Sequence, residues 1–195
     1  MRKSNLLKVA LVIATIFNLN IRAGAQTNYH TLVVDIKLNG TSNVHDWEMT
    51  AVSGTSDASI ETDNGKLTSV SKMNFSLPVK NLKSGKAAMD KNTYKAMKND
   101  VNPNISFVLT SATVIPTGGN NYKLNCVGKM TIAGTTNETE LLATGIYNPA
   151  DKSFTVTGIK KMKMTDYKVK PPKALLGTIK TGDEISISYN LKFKI

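Results

Sequence analysis

The sequence predicts an all-β protein, namely an antiparallel β-barrel of about eight strands with one short inserted α-helix. Apolar and polar residues alternate with a period of two through most of the chain, and turn residues recur at short intervals. Helical periodicity occurs in one segment only. Because every amphipathic strand must bury one face, so many strands favour a closed barrel or two packed sheets. The pattern leaves open whether the interior is filled by side chains or holds an apolar ligand.

The first 25 of the 195 residues have the features of a secretory signal peptide. Basic residues up to Lys8 precede an apolar run from Val9 to Phe17, and Ala23-Gly24-Ala25 supplies small residues for cleavage. The run is shorter than the ~20 apolar residues that a membrane-spanning helix needs. We therefore expect no stable membrane span, cleavage after Ala25, one mature domain of residues 26–195, and a periplasmic or secreted location.

The chain is basic, with a formal charge of +11 that falls to +7 without the four basic residues of 1–25. Such an excess suits an anionic partner, such as nucleic acid, a membrane surface or a lipid phosphate. The densest lysines extend from Lys160 to Lys173. Aromatic residues do not alternate with them in the way that stacks bases, so we expect no nucleic-acid binding.

The strands follow in chain order from alternation and turn signals. The first two are predicted at 29–38 and 44–53, with a turn at Asn39-Gly40-Thr41 between them. Asn64-Gly65 predicts a hairpin after a short strand at 58–61. Later strands are marked by Met73, Phe75, Leu77 and Val79, by Ile105, Phe107 and Leu109, by Tyr122, Leu124, Cys126, Met130 and Ile132, by 141–147 and 154–164, and by Ile185, Ile187, Tyr189, Leu191, Phe193 and Ile195.

One segment departs from this pattern. Lys86 to Asn99 favours a helix, which Asp90 is predicted to cap and which Pro103 and the asparagines before it are predicted to end. One face of this helix carries Met89, Thr93, Ala96 and Met97.

Motifs along the whole mature chain resemble the YceI-like family. Residues 40–47, Gly-Thr-Ser-Asn-Val-His-Asp-Trp, are similar to the variant start found in Bacteroidota members. Residues 83–111 resemble the family's helix and its Pro-x-Ile-x-Phe strand, here Pro103 to Phe107. The strand at 128–134 and the run from Met164 to Glu184 fit the family's later motifs.

The resemblance implies a lipocalin-like barrel with a helix over one side and an interior pocket. In characterised relatives this pocket holds a long isoprenoid chain, and many relatives are exported to the periplasm. The expected function is therefore an exported lipid-binding protein that needs no cofactor and holds an isoprenoid or quinone-like lipid. The alternative is a non-enzymatic structural or interaction module with a filled core.

An apolar chain needs a long, dry tunnel, in which each buried methylene contributes ~0.8 kcal/mol. Methionines suit such a lining because they are flexible and polarizable. Lys83 and Lys86, beside Gly85, are candidates for holding a polar headgroup, or are solvated loop lysines. The candidate ligand-binding residues are His45, Trp47, Phe75, Leu77, Val79, Met89, Tyr94, Met97, Phe107, Leu109, Leu124, Cys126, Met130 and Ile132.

Catalytic and metal sites are not expected. On a strand, His45 shares a face with Trp47 and not with Asp46, so the two polar neighbours would not pair. His30 and His45 are the two histidines, and metal-ligand spacing and enzyme motifs are missing. The single cysteine, Cys126, is interpreted as a small buried residue. An enzyme that uses His45 is a third hypothesis, and a homodimer through the amphipathic last strand is left open.

Overall fold

A computed structural model describes residues 26–195, except for the side chains of Ala174 and Leu175. The predicted signal peptide, residues 1–25, lies outside the described residues. Helix α1 is Ala87–Ala96, and 3-10 turns lie at Val79–Asn81, Met164–Tyr167 and Leu175–Gly177. The strands are β1 Gln26–Ser42, β2 Trp47–Ala51, β3 Thr55–Asp63, β4 Lys66–Pro78, β5 Asn104–Gly118, β6 Asn121–Ile132, β7 Thr135–Asn148, β8 Ser153–Lys163, β9 Lys173–Ala174 and β10 Ile179–Lys194.

The strands form a closed antiparallel barrel, because β10 pairs with β8 on one side and with β1 on the other. β2 and β3 pair with the two halves of β1 and act as one interrupted strand, which makes the barrel eight-stranded. The predicted fold class is therefore confirmed. Since β10 has a partner on both sides, it is not the free edge through which a dimer was considered.

The predicted turn at Asn39-Gly40-Thr41 is wrong, because β1 continues through these residues to Ser42. Gly40 is needed there for a packing reason: the indole ring of Trp47 covers it, and a Cβ at this position would collide with the ring. The next strand begins at Trp47, later than predicted. His45 therefore lies in a bend, where the Ser42 hydroxyl oxygen accepts a hydrogen bond from its backbone N–H at 3.1 Å.

The Asn64-Gly65 hairpin is confirmed. Both residues have positive φ angles, 50° and 72°, and they join the paired residues Asp63 and Lys66. A two-residue turn of this kind matches the right-handed twist of the strands that it connects.

Helix α1 is confirmed, but its cap differs from the prediction. Lys86 is the N-cap residue and makes no side-chain cap bond. The Asp90 carboxylate instead accepts hydrogen bonds from the backbone N–H and the hydroxyl of Ser84, at 2.8 and 2.6 Å. These bonds hold the pKa of Asp90 below its usual value and attach the preceding loop to the first turn of the helix.

One end of the barrel, here called the closed end, is filled by aromatic side chains. Tyr29, Tyr122 and Phe193 are 1–2% exposed. The Tyr122 hydroxyl accepts a hydrogen bond from the backbone N–H of Leu67 at 2.9 Å, and the rings of Phe154 and Phe193 lie 6.5 Å apart. Burial, followed by a hydrogen bond with Tyr147, raises the pKa of Tyr29, which stays protonated.

Part of the barrel wall is closed by side chains. β7 and β8 pair only between Ala143–Gly158 and Asn148–Ser153. Beyond this ladder, the 3-10 turn Met164–Tyr167 packs against β7, where the hydroxyls of Tyr167 and Thr139 hydrogen-bond at 2.8 Å. The Lys160 amine donates to the Glu140 carbonyl at 3.0 Å. Since the turn occupies this part of the wall, its residues reach the barrel interior.

Candidate functional site

The half of the barrel opposite the closed end contains a cavity of about 380 Å³, here called the outer chamber. Its size lies within the ~300–1,000 Å³ of small-molecule sites. α1 covers one side, and the other lining residues come mainly from β1, β2, the end of β6, β8, β10 and the segment 164–173 after β8. Exposed side chains, among them His45 and Lys86, lie in its lining, so this chamber opens to solvent at what we call the mouth. Its apolar lining includes Leu38, Trp47, Met49, Met89, Met97, Ile132, Met162, Met164, Val169, Ile179 and Ile185.

A second cavity of about 130 Å³, the inner chamber, lies deeper in the barrel. Leu38 and Ile132 line both chambers, so the two meet at these side chains. The two apolar chambers therefore lie one behind the other between the mouth and the closed end. The inner lining includes Ile36, Met73, Phe75, Leu77, Leu82, Ile105, Phe107, Cys126, Met130, Leu141, Ala143, Val156, Ile187, Tyr189 and Leu191.

Ten of the predicted ligand-binding residues line these chambers. His45, Trp47, Met89, Met97 and Ile132 line the outer chamber. The inner chamber contains Phe75, Leu77, Phe107, Cys126, Met130 and, again, Ile132.

Four predicted residues lie outside both linings. Val79 is completely buried in a 3-10 turn, because β4 ends one residue before it. Leu124 and Leu109 pack within the apolar core of the wall and closed end. The Tyr94 hydroxyl lies 3.0 Å from the Leu82 carbonyl, so this side chain fastens α1 to the loop before it.

The prediction from the sequence missed several residues that line the two chambers. Ile36, Ile185, Ile187 and Tyr189 were available from the alternation of β1 and β10, which marks inward positions. Tyr167 and Val169 had no such signal. They lie in the irregular segment after β8, and only the position of this segment against β7 brings them to the chamber.

Polar groups surround the mouth. His45 and Trp47 share the outer chamber, as expected of residues on one face, although His45 lies in a bend. The Trp47 indole N–H donates to the Thr41 carbonyl at 2.9 Å, which fixes its ring beside the cavity. Of the two candidate lysines, Lys86 lines the chamber. The Lys83 amine instead donates to the Tyr94 hydroxyl at 2.9 Å, which raises the pKa of Lys83.

Cys126 and Tyr189 of the inner chamber are uncharged at neutral pH, and the amine of a third lining residue, Lys160, donates to the Glu140 carbonyl. Burial raises the pKa of the Cys126 thiol to about 11 and that of the Tyr189 hydroxyl to about 12. Neutral side chains suit an apolar guest. Within residues 26–195, no group of three His, Cys, Asp or Glu residues is arranged to hold a metal ion. The helices of the same residues are too short and too polar to cross a membrane.

Cys126 is expected to react slowly with a disulfide reagent such as DTNB. A pKa raised from 9.0 to about 11 lowers the thiolate fraction at pH 8 about a hundredfold. The native rate at pH 8 should therefore be at least about a hundredfold below that of the urea-unfolded chain, and should rise until about pH 11. Cys126 is the single cysteine, so the signal is unambiguous. Rapid labelling of the native protein at pH 8 would show that the thiol is not buried in this chamber.

Comparison with known proteins agrees with this architecture. A family model described as the YceI-like domain matches residues 23–193. BcnA of Burkholderia cenocepacia is similar in structure, with a TM-score of 0.60 at 21% identity, covering 82% of this chain and 95% of that one. A polyisoprenoid-binding domain of Saccharophagus degradans, implicated in plant cell wall breakdown, gives a TM-score of 0.63 at 7% identity and covers 85% and 97%.

A Campylobacter jejuni YceI protein gives a TM-score of 0.51 at 14% identity, covering 72% of this chain and 81% of that one. At these identities the structural likeness shows the fold. Comparison with curated proteins finds no match. The family model covers nearly all of the described barrel, and we conclude that the chain belongs to the YceI-like domain family.

Proposed function

We propose that this protein is an exported lipid-binding protein that holds an isoprenoid or similar long apolar chain inside its barrel. The observation that carries the proposal is the pair of adjacent apolar cavities, the outer chamber of about 380 Å³ and the inner chamber of about 130 Å³, which share the side chains of Leu38 and Ile132. Each methylene that leaves water for these cavities contributes ~0.8 kcal/mol, so chain length alone supplies affinity.

Family membership supports an apolar lipid as the ligand. The Saccharophagus degradans relative is a polyisoprenoid-binding domain with the same fold. In the present chain the apolar part of such a ligand occupies the two chambers. Its polar end stays at the mouth, where His45 and Lys86 meet solvent.

Export is part of this proposal. The basic start, the apolar run to Phe17 and the small residues up to Ala25 support a signal peptide. The protein would then carry its ligand in the periplasm or outside the cell. N-terminal sequencing of the protein recovered from the periplasm or the medium tests this, and a chain that still begins at Met1 would contradict it.

The competing function is a non-enzymatic structural or interaction module with a filled core. This alternative needs an interior occupied by side chains, as the closed end is. Without a ligand, the apolar lining of the outer chamber would face water, which is costly because exposed apolar surface is unfavourable. The open chambers therefore favour ligand binding.

The fluorescence of Trp47 tests the proposal, because this is the single tryptophan of the chain and it lines the outer chamber. Titration with prenols of increasing length should shift its emission to shorter wavelength, as apolar chain replaces water beside the indole. Affinity should rise with chain length until both chambers are filled. Calorimetric titration of the Trp47→Phe variant with the same prenols is the control, because it measures binding independently of the fluorescence signal.

Mass spectrometry of an organic extract, made after mild purification, identifies any lipid that the protein carries. We expect a long-chain lipid in about equal amount to the protein. A protein that carries no lipid and binds none of the added prenols would contradict the proposed function and favour the filled-core module.

A further inference from the structure

Two exposed apolar side chains flank the mouth of the outer chamber. Val44, in the bend between β1 and β2, is 61% exposed, and Leu176, between β9 and β10, is 110% exposed. His45, which follows Val44 directly, lines the chamber, as do Lys173 and Ile179, which lie three residues before and after Leu176. Exposed apolar side chains next to a cavity entrance are typical of an interaction surface.

The two loops that carry these side chains are joined. The Asn43 side-chain amide donates to the Thr178 carbonyl at 2.9 Å, and its side-chain oxygen accepts from the backbone N–H of Lys180 at 2.7 Å. A third bond runs from the Asn43 backbone N–H to the Lys180 carbonyl at 3.1 Å. The loops that carry Val44 and Leu176 are therefore joined beside the mouth, and we call the surface that they form the mouth surface.

Leu176 is held there at a conformational cost. Its φ angle is +57°, a left-handed conformation that a leucine adopts rarely. Its side chain gains no burial in return. Contact with a binding partner that buries the Leu176 side chain would explain this conformational cost.

The mouth surface is strongly basic. Lys160 to Lys180 contains seven lysines and one acidic residue, Asp166. Lys86, Lys163 and Lys173 line the outer chamber itself. The lysines that are exposed at or beside the mouth are Lys86, Lys163, Lys168, Lys170, Lys173 and Lys180.

The acidic groups beside the mouth lie mainly along a neighbouring polar cavity, which is lined by Asp46, Glu48, Asp166 and Glu184. The Asp166 carboxylate accepts from the backbone N–H of Lys163 at 2.9 Å, and Asp183 accepts from the Thr165 hydroxyl at 2.6 Å. Asp90 is bound to Ser84, as described above. Asp46 follows His45 and lies outside the lining of the outer chamber. These carboxylates keep their negative charge when they accept hydrogen bonds, so the positive charge is concentrated in the segment 167–182, which contains Leu176, four lysines and no acidic residue.

We propose that the mouth surface docks on an anionic lipid bilayer. Val44 and Leu176 enter the headgroup region, and the lysines contact lipid phosphates. Docking places the mouth of the outer chamber against the membrane, so an apolar chain passes between bilayer and barrel without crossing water. A nucleic acid would use the lysines but gain nothing from the two apolar side chains. This inference rests on the proposed function and names where the ligand is exchanged.

Vesicle co-sedimentation of the full mature chain tests the proposal. Vesicles of phosphatidylcholine with one-third phosphatidylglycerol should bind the protein, and vesicles of phosphatidylcholine alone should not. The double variant Val44→Ser, Leu176→Ser should bind at least about tenfold more weakly, as should Lys168→Glu, Lys170→Glu. The matched control is Leu142→Ser, Ile159→Ser on the barrel wall, whose side chains are 61% and 65% exposed. It should bind like the wild type.

Three results would overturn the proposal: no binding to the anionic vesicles, an equal loss in the barrel-wall control, or full binding by the Val44, Leu176 variant. Binding of a DNA duplex that competes fully with vesicles and depends only on the lysines would also overturn it. The Trp47 titration with prenols, made without vesicles, separates the two proposals. Binding of prenols without binding to vesicles would contradict the docking proposal alone. A failure to bind prenols would contradict the proposed function and the docking proposal with it.

Discussion

Ala143→Phe is expected to weaken binding of a long prenol about a hundredfold. Ala143 lines the inner chamber of about 130 Å³, and a phenyl ring at this position occupies most of it. A chain that then stops at Leu38 and Ile132 loses contact for roughly four methylenes. At ~0.8 kcal/mol each, this is about 3 kcal/mol and therefore about two powers of ten in Kd. The Trp47 titration measures the change.

The same substitution should leave short chains unaffected, because they fit in the outer chamber alone. Thr144→Phe is the matched control, since the next residue of β7 points to the outside and is exposed. Circular dichroism and thermal unfolding establish that both variants fold. An equal loss for short and long prenols, or an equal loss in Thr144→Phe, would show that the inner chamber does not hold the chain.

Phe193→Ala is expected to lower the free energy of unfolding by about 3–5 kcal/mol. Phe193 is 1% exposed, pairs with Phe154 across β8 and β10, and packs against its ring at the closed end. Loss of the ring leaves a cavity that rigid strands on both sides prevent from closing. Urea unfolding measures the effect as a lower midpoint with an unchanged slope.

Ile195→Ala is the control for this prediction. Ile195 lies two residues further along the chain but is 57% exposed, so its truncation should change stability by less than about 0.5 kcal/mol. If Phe193→Ala costs no more than Ile195→Ala, the closed end is not a packed core. The division of the interior into a filled end and an open end would then be wrong.

The pattern of alternation was sufficient to find most of the barrel and much of the chamber lining. Side chains of a strand point to opposite faces in turn, so Phe75, Leu77 and Phe107 could be placed inside from their spacing alone. The same rule failed at Val79, because β4 ends at Pro78 and the chain turns there. It also failed for Leu124, which points inward but lies in the filled half of the barrel.

Local turn signals were reliable only where no distant contact opposed them. Asn64-Gly65 forms its hairpin because both residues tolerate positive φ, and the distant residue Pro149, 3.7 Å from a Cβ placed at Gly65, makes only an ordinary contact. Asn39-Gly40 carries a similar signal, yet β1 runs straight through it. There the glycine makes room for Trp47, a residue seven positions away, and that reason does not appear in a local pattern.

The sequence by itself determined the antiparallel strands, the single helix with its inward methionine face, and the apolar character of the interior. These follow from periodicity, which is a property of neighbouring residues. Only the tertiary structure decided which part of the interior stays open. The rings of Tyr29, Tyr122 and Phe193 converge from distant strands and fill one end, whereas α1 covers the other end from the side and leaves the chambers beneath it. The volume of the open interior depends on how side chains from distant segments pack together, and it cannot be predicted from the sequence of one strand.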